Sequence, residues 1–152
     1  YDAHMIWKPN VTVAAVAVRN GKHLLVEETE DGKLVLNQPA GHLDEGESLL
    51  DAVVRETLEE TAWHFVPEFL IGIYRWPHPA KGVTYLRFAF AGHVTDHDPA
   101  RTLDDGVVRA LWLTPQEIAR EAARHRSPQV MRTLNDYLAG RRYPLDLLSE
   151  VL

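Results

Sequence analysis

A mixed β-sheet held between helical layers, an α/β (α+β) arrangement, is the architecture this chain predicts. Three observations carry the prediction. β-rich runs stand on both sides of one amphipathic helix, two further helices are signalled near the end, and no repeat, low-complexity tract or linker interrupts the chain. At 152 residues and 45% hydrophobic content, the chain is one domain able to bury a single core.

The elements follow in order. Tyr1–His4, ahead of Met5, reads as a leftover of an expression vector and is set apart from residues 5–152, which form the domain. Val11–Val18 and Lys22–Glu28 are strands flanking Asn20-Gly21, a strong hairpin signal. Leu34–Asn37 is a short strand that feeds the tight loop Gln38-Pro39-Ala40-Gly41. A helix over Ser48–Thr61 comes next. Phe69–Arg75 and Tyr85–Val94 read as paired strands across Pro77–Gly82, a loop long enough to border a substrate, and Val107–Leu113 as a further strand. Thr114-Pro115-Gln116-Glu117 is a capping box that opens a helix to about Arg124, and Ser127-Pro128 opens another that Gly140 closes.

The helix over Ser48–Thr61 carries the chemistry. A helix turns about 100° per residue, so Glu56, Glu59 and Glu60, spaced by three and four, are neighbours on its surface. Leu49, Leu50, Ala52, Val53 and Thr57 form the face that packs on a core, and Glu56 and Glu60 fall on or beside that stripe. A solvated acidic face would have placed them opposite the leucines. Carboxylates held at the edge of a core are costly unless they are paired or coordinate a metal. Hard oxygen donors in a chain without cysteine select Mg²⁺, Mn²⁺ or Ca²⁺ over zinc, and Mg²⁺ is expected, with Mn²⁺ as a working substitute.

The segment Gly41-x5-Glu47-x7-Arg55-Glu56-Thr57-Leu58-Glu59-Glu60-Thr61-Ala62-Trp63 resembles the signature box of the Nudix hydrolases. The resemblance implies a Nudix-type α/β/α sandwich, a loop–helix–loop box whose glutamates bind divalent ions, and hydrolysis of a nucleoside diphosphate linked to another group. Two positions depart from the family pattern. Thr57 replaces a common aliphatic residue and can still pack through its methyl group. Ala62 stands where glycine is usual; positive φ costs an alanine roughly 1 kcal/mol, so a slightly different helix end is expected. Trp7-Lys8-Pro9-Asn10-Val11-Thr12-Val13, Val26-Glu27-Glu28-Thr29, Asn37–Leu43, Leu86-Arg87-Phe88, Arg126-Ser127-Pro128 and Arg142-Tyr143-Pro144-Leu145 together resemble the NudJ branch. That likeness implies phosphatase action on nucleoside di- and triphosphates, with release of inorganic phosphate, and on a thiamine-precursor pyrimidine pyrophosphate.

The resemblance also implies roles. Glu56, Glu59 and Glu60, helped by the Gly41 carbonyl, would hold Mg²⁺; Glu47 would make an outer metal contact, and Arg55 would orient the glutamates. Glu59 is the first choice of general base. Asp104 or Asp105 is the alternative, against a plain turn before Gly106. Arg75, Trp76, Lys81 and Arg87 are the substrate-binding candidates: Trp76 stacks on a base or packs under its loop, and Arg87 reaches a phosphate or water. His42 lines the site without being a ligand. Trp7, Trp63 and Trp112 are assigned to the core. His93, Asp96, His97 and Asp98 read as a polar strand end and not as a metal cluster.

Composition removes other classes. A net charge of −6 argues against a nucleic-acid polymer as partner and leaves a small nucleotide or pyrophosphate. Zero cysteines exclude disulfides and thiolate chemistry. No apolar run approaches the roughly 20 residues of a membrane span, so no membrane partner and a cytoplasmic location are expected. A catalytically silent module that senses a nucleotide or metabolite is the alternative function; the intact glutamates speak against it.

Overall fold

Asn20 and Gly21 turn the chain with φ of 52° and 74°, the paired positive angles of a two-residue hairpin, and join β1 (Asn10–Arg19) to β2 (Lys22–Glu30). The computed structural model describes residues 5–152; Tyr1–His4, set apart above, lies outside the described residues. A second turn of the same kind, Asp31-Gly32 with φ of 51° and 76°, carries β2 past its expected end at Glu28 into β3 (Lys33–Asn37). The chain continues through β4 (Ala40–His42), α1 (Leu49–Thr61), β5 (Trp63–Pro77), β6 (Thr84–His97), β7 (Val107–Leu113), α2 (Pro115–Arg120) and α3 (Gln129–Leu138). Short 3-10 turns lie at Ala122–Arg124 and Leu145–Leu147.

The strand order is β3-β2-β1-β6-β5, with β4 also on β1 and β7 also on β2. β1 and β6 run parallel from Asn10↔Tyr85 to Ala17↔Gly92 while the other pairs are antiparallel, so the sheet is mixed as expected. Successive side chains of a strand point to opposite faces, and β1 is buried on both. Val13, Ala15 and Ala17 pack with Ala52 and Val53 of α1 and with Phe65, Leu70 and Phe90. Ala14 and Val16 pack with Ile71, Ala89 and Ala91, backed by Tyr137 of α3. A third cluster joins Leu25 and Leu36 to Ile118 of α2 and to Val130 and Leu134 of α3. The sheet therefore lies between helices.

Several boundaries differ from expectation for visible reasons. β5 and β6 are longer because register shifts between Trp63/Phe65, Pro67/Phe69 and Leu70/Gly72 absorb residues that would break a regular ladder. Pro67 is tolerated in the edge strand β5 opposite Gly92, where any Cβ would run into the Val66 carbonyl. α2 stops at Arg120, short of Arg124, because the chain leaves helical pairing: Arg126 N–H bonds to Leu36 O at 2.8 Å and Arg124 Nη1 reaches buried Glu27 at 2.8 Å. Ala62 takes the left-handed conformation after all, φ 62° and ψ 13°, with its N–H on Leu58 O. Its methyl is 97% buried, being 3% exposed, and burial of about 0.8 kcal/mol per carbon offsets much of the strain.

Trp7 is not in the core: it is 68% exposed, on the segment ahead of β1. Trp63 and Trp112 do pack against the core, edge to face at 5.8 Å, with the Arg19 guanidinium 4.6 Å and 5.9 Å from their rings. Among the described residues no helix is long and apolar enough to cross a membrane.

His23 of β2 is buried against Tyr137, and burial lowers its pKa from 6.5. The unfolded chain then binds the extra proton first, so stability is present above pH 6.5 and is lost as pH falls through that value. Denaturant titrations across this window should show wild type losing stability relative to His23→Phe; parallel curves would contradict the assignment.

Candidate active site

The site is built where β4 meets α1. β4 pairs with β1 through Val13↔Gly41, and the missing side chain of Gly41 leaves the space that the Glu56 carboxylate fills. Ser48 caps α1 by accepting Asp51 N–H at 3.0 Å. Thr57 replaces an aliphatic residue without leaving a polar orphan, since its Oγ1 donates to Val53 O at 2.8 Å. Packing through Ala52, Val53 and Thr57 draws the neighbouring Glu56 and Glu60 down to 9% and 8% exposure.

Burial pushes the Glu60 carboxyl up to about 9, despite the Ala40 N–H donating to its Oε1 at 2.8 Å. Burial also pushes Glu56 up to about 7; Arg55 opposes the rise, while Glu59 and Asp104 add to it. Arg55 is the local counter-charge. Its Nε and Nη2 grip both oxygens of Glu47 at 3.0 and 2.7 Å, Nη1 donates to Glu56 at 2.8 Å and to both Glu59 oxygens at 3.3 Å, and Nη2 also reaches the His42 carbonyl. Both Glu47 oxygens are committed to Arg55, so Glu47 faces the guanidinium and not the other carboxylates.

Asp104 joins the group from a distant part of the chain. Its N–H bonds to Glu59 O at 3.0 Å, and its carbonyl takes Val107 N–H in a turn that uses Gly106 at φ 86°. The turn and the site are one arrangement. One carboxylate oxygen each from Glu56, Glu59 and Asp104 lies within 4.8 Å of the others; Glu60 borders the same cleft outside this trio. Three hard oxygen donors at that spacing suit a hydrated divalent cation that keeps several waters. Among the described residues no second cluster of this kind occurs. His93 pairs with Glu68 at 2.9 Å, His97 stacks on Trp63 at 4.6 Å, and Asp98 accepts Ala100 N–H, in keeping with a polar strand end.

Glu56, Glu60 and Asp104, though not Glu59, line a cleft of about 340 Å³. Its outer wall is aromatic: Trp76 stacks on Tyr85 at 5.8 Å and 17°, with His78 at 4.8 Å, so Trp76 both packs and faces the cavity. Lys81 lines it while bound to Glu30 at 3.1 Å, Asp105 and exposed His42 border it, and Arg75 points away, exposed and outside the lining. Arg87 is buried in the cleft wall, away from water and with no carboxylate in hydrogen-bond reach, though the charge of Glu60 acts on it.

Glu28, Arg126, His78 and Tyr85 also line the cleft and were not among the expected site residues. A signal for Glu28 was present in the consecutive Glu27-Glu28 of a core strand. Both are buried because β2 is covered on its two faces from His23 to Glu28, with a register shift against β7 between them.

The sequence matches the NUDIX domain model over residues 8–134. It is 39% identical over 145 residues to "Phosphatase NudJ" of Escherichia coli K12, covering 95% of this chain and 94% of that one, and equally to the NudJ of Shigella flexneri. The fold superposes on a solved "NUDIX hydrolase from Nitrosomonas europaea" with a TM-score of 0.93, 54% identity and coverage of 95% and 98% of the two chains.

The Arg55 side chain is 27% exposed and holds three glutamates apart. Arg55→Gln should lower stability by about 2 kcal/mol, read from denaturant midpoints in the absence of divalent ions. Unchanged stability would mean that the carboxylates do not need the guanidinium.

Proposed function

The chain belongs to the NUDIX domain family of hydrolases, and on that premise we propose that it hydrolyses a phosphoanhydride bond, with Mg²⁺, in a nucleoside di- or triphosphate or a related pyrophosphate. The observation that carries this reading is the trio of carboxylate oxygens within 4.8 Å, two of whose residues, Glu56 and Asp104, line a cleft that also holds cations and stacked aromatic rings. Glu56, Glu59 and Asp104 would hold the ion, with Glu60 and the Gly41 carbonyl at its border and Mn²⁺ as an acceptable replacement. When bound, the ion supplies neutralisation of phosphoryl charge and a more acidic water.

The chain's own residues do the rest. Arg55 fixes Glu56 and Glu59 in place while Glu47 fixes Arg55, so the carboxylates meet their ligand already oriented. Glu59 is the more loosely held of the two, at 3.3 Å from Arg55 against 2.8 Å for Glu56, which suits a base that takes a proton from water. Asp104 faces the same space and is the alternative base. Trp76 and Tyr85 would offer a flat surface for a heteroaromatic ring, and Lys81 and Arg87, which line the same cleft, would face the phosphates. A cleft of about 340 Å³ suits a small molecule and not a polymer. The relatives named Phosphatase NudJ favour inorganic phosphate as product, and the thiamine-precursor pyrimidine pyrophosphate belongs among the candidate substrates.

Glu59→Gln should lower kcat by roughly 10²-fold or more while leaving the unfolding midpoint near wild type. Turnover within a few-fold of wild type would sink the assignment. The raised carboxyls add a pH signature. Burial raises the Glu56 carboxyl to about 7 and that of Glu60 to about 9, so bound protons compete with the ion as pH falls. Apparent Mg²⁺ affinity should rise with pH from 6 to 9 with proton release, measured by calorimetry in buffers of different ionisation heat. A pH-independent affinity without proton release would exclude these carboxylates as ligands.

A further inference from the structure

A second cavity, of about 300 Å³, lies at the edge of the sheet and shares no lining residue with the carboxylate cleft. It forms where Leu70–Tyr74 of β5 meet α3 and the segment that follows α3. β5 has a strand on one side only, and on its other side a single residue is paired: Tyr143 and Leu70 exchange N–H···O bonds of 2.8 and 2.9 Å. The cavity opens beside that bridge.

Its charge is set by Asp136 of α3, a buried carboxylate. Asp136 Oδ2 accepts the Tyr74 hydroxyl at 2.8 Å and Arg132 Nε at 3.1 Å, and Arg141 Nε lies 3.5 Å from Oδ1. Two guanidiniums thus share one carboxylate, and the group carries a net positive charge. Each is engaged through Nε, and among the described residues no terminal Nη of either meets an acceptor. The arrangement is held from behind. The Arg132 guanidinium stands 5.7 Å from the centre of the Tyr74 ring, and Gly72 leaves room for the Tyr74 hydroxyl, which a Cβ there would meet at 2.8 Å.

A staple that only docked α3 on β5 would need one arginine on Asp136 and no hollow beside it. Here the hollow is also apolar at its rim, where Ile73, Tyr143 and Leu147 are exposed large side chains that all line it. Oriented Nη donors beside apolar surface, in a space of this size, match a small molecule with an anionic head and an apolar body. We propose that this cavity binds a small organic anion, its carboxylate or phosphate head on Arg132 and Arg141 and its body against Ile73, Tyr143 and Leu147. Such a ligand would be neither the substrate of the carboxylate cleft nor dependent on its metal.

The test is amide NMR of the full chain with divalent ions chelated, titrated with benzoate and separately with phenyl phosphate at constant ionic strength. At least one probe should shift the Gly72, Ile73 and Arg141 amides saturably, with a Kd of roughly 1 mM. Saturation by benzoate alone identifies a carboxylate head, by phenyl phosphate alone a phosphate head, and by both a site that reads charge only. Acetate, which lacks the body, should bind about tenfold more weakly than benzoate where benzoate binds. Arg141→Gln should weaken binding about tenfold and Arg141→Lys should restore part of the loss. Arg141 is exposed, and unchanged amides away from the cavity confirm that the variant folds. Shifts confined to the cleft around Gly41, no saturation by either probe, or binding that Arg141→Gln leaves intact overturns the proposal. Acetate binding as tightly as benzoate does so too.

Discussion

One guanidinium among four carboxylates is the interaction on which the site depends. Arg55 contacts Asp44 at 3.3 Å as well as Glu47, Glu56 and Glu59, and its bond to the His42 carbonyl joins the loop after β4 to the helix that follows. Unit charges a few ångströms apart near a protein surface interact by several kcal/mol, so without Arg55 the glutamates would spread or take up protons. Burial raises the Glu56 carboxyl to about 7, and Arg55 opposes that rise.

The sheet makes that crowding possible. β1 holds β4 and β6 on its two edges, so Gly41 and Arg87 enter one cleft from opposite sides of the same strand. Gly41 admits the Glu56 carboxylate to a space any side chain would close. Glu28 of β2 lines the same cleft and anchors Arg126. Charge is thus sorted within a chain of net charge −6: acidic groups gather at the end of α1, and basic groups at β6 and the approach to α3. A phosphoanhydride needs both walls, one to receive a cation and one to receive phosphate oxygens.

Much of this was legible in the sequence because it is local. Spacings of three and four put Glu56, Glu59 and Glu60 on one helix, though the structure groups Glu56 and Glu59 with Asp104 and leaves Glu60 outside that trio; Asn20-Gly21 turns the first hairpin, and Thr114 with Glu117 caps α2 as its residues require. What escaped was long-range. Asp104 is legible as an alternative base, but the backbone bond to Glu59 that brings it to the carboxylates is not, and Arg126 reaches Glu28 across 98 positions of the chain. Neither contact leaves a periodic trace. Trp7 misled because a large apolar ring suggests burial, whereas its exposure follows from lying ahead of the first strand. Arg75 misled by its nearness to Trp76, since alternation along β5 sends adjacent side chains to opposite faces.

The central claim is that the carboxylate cluster is a divalent-ion site for phosphoanhydride hydrolysis. Its most direct test is product release from a panel of nucleoside di- and triphosphates and small pyrophosphates, assayed for phosphate and pyrophosphate separately, with Mg²⁺ and with the ion chelated. Hydrolysis of at least one member that appears with Mg²⁺ and vanishes on chelation is the predicted result. Hydrolysis that persists at full rate under chelation, or no hydrolysis of any member with Mg²⁺ present, would contradict it.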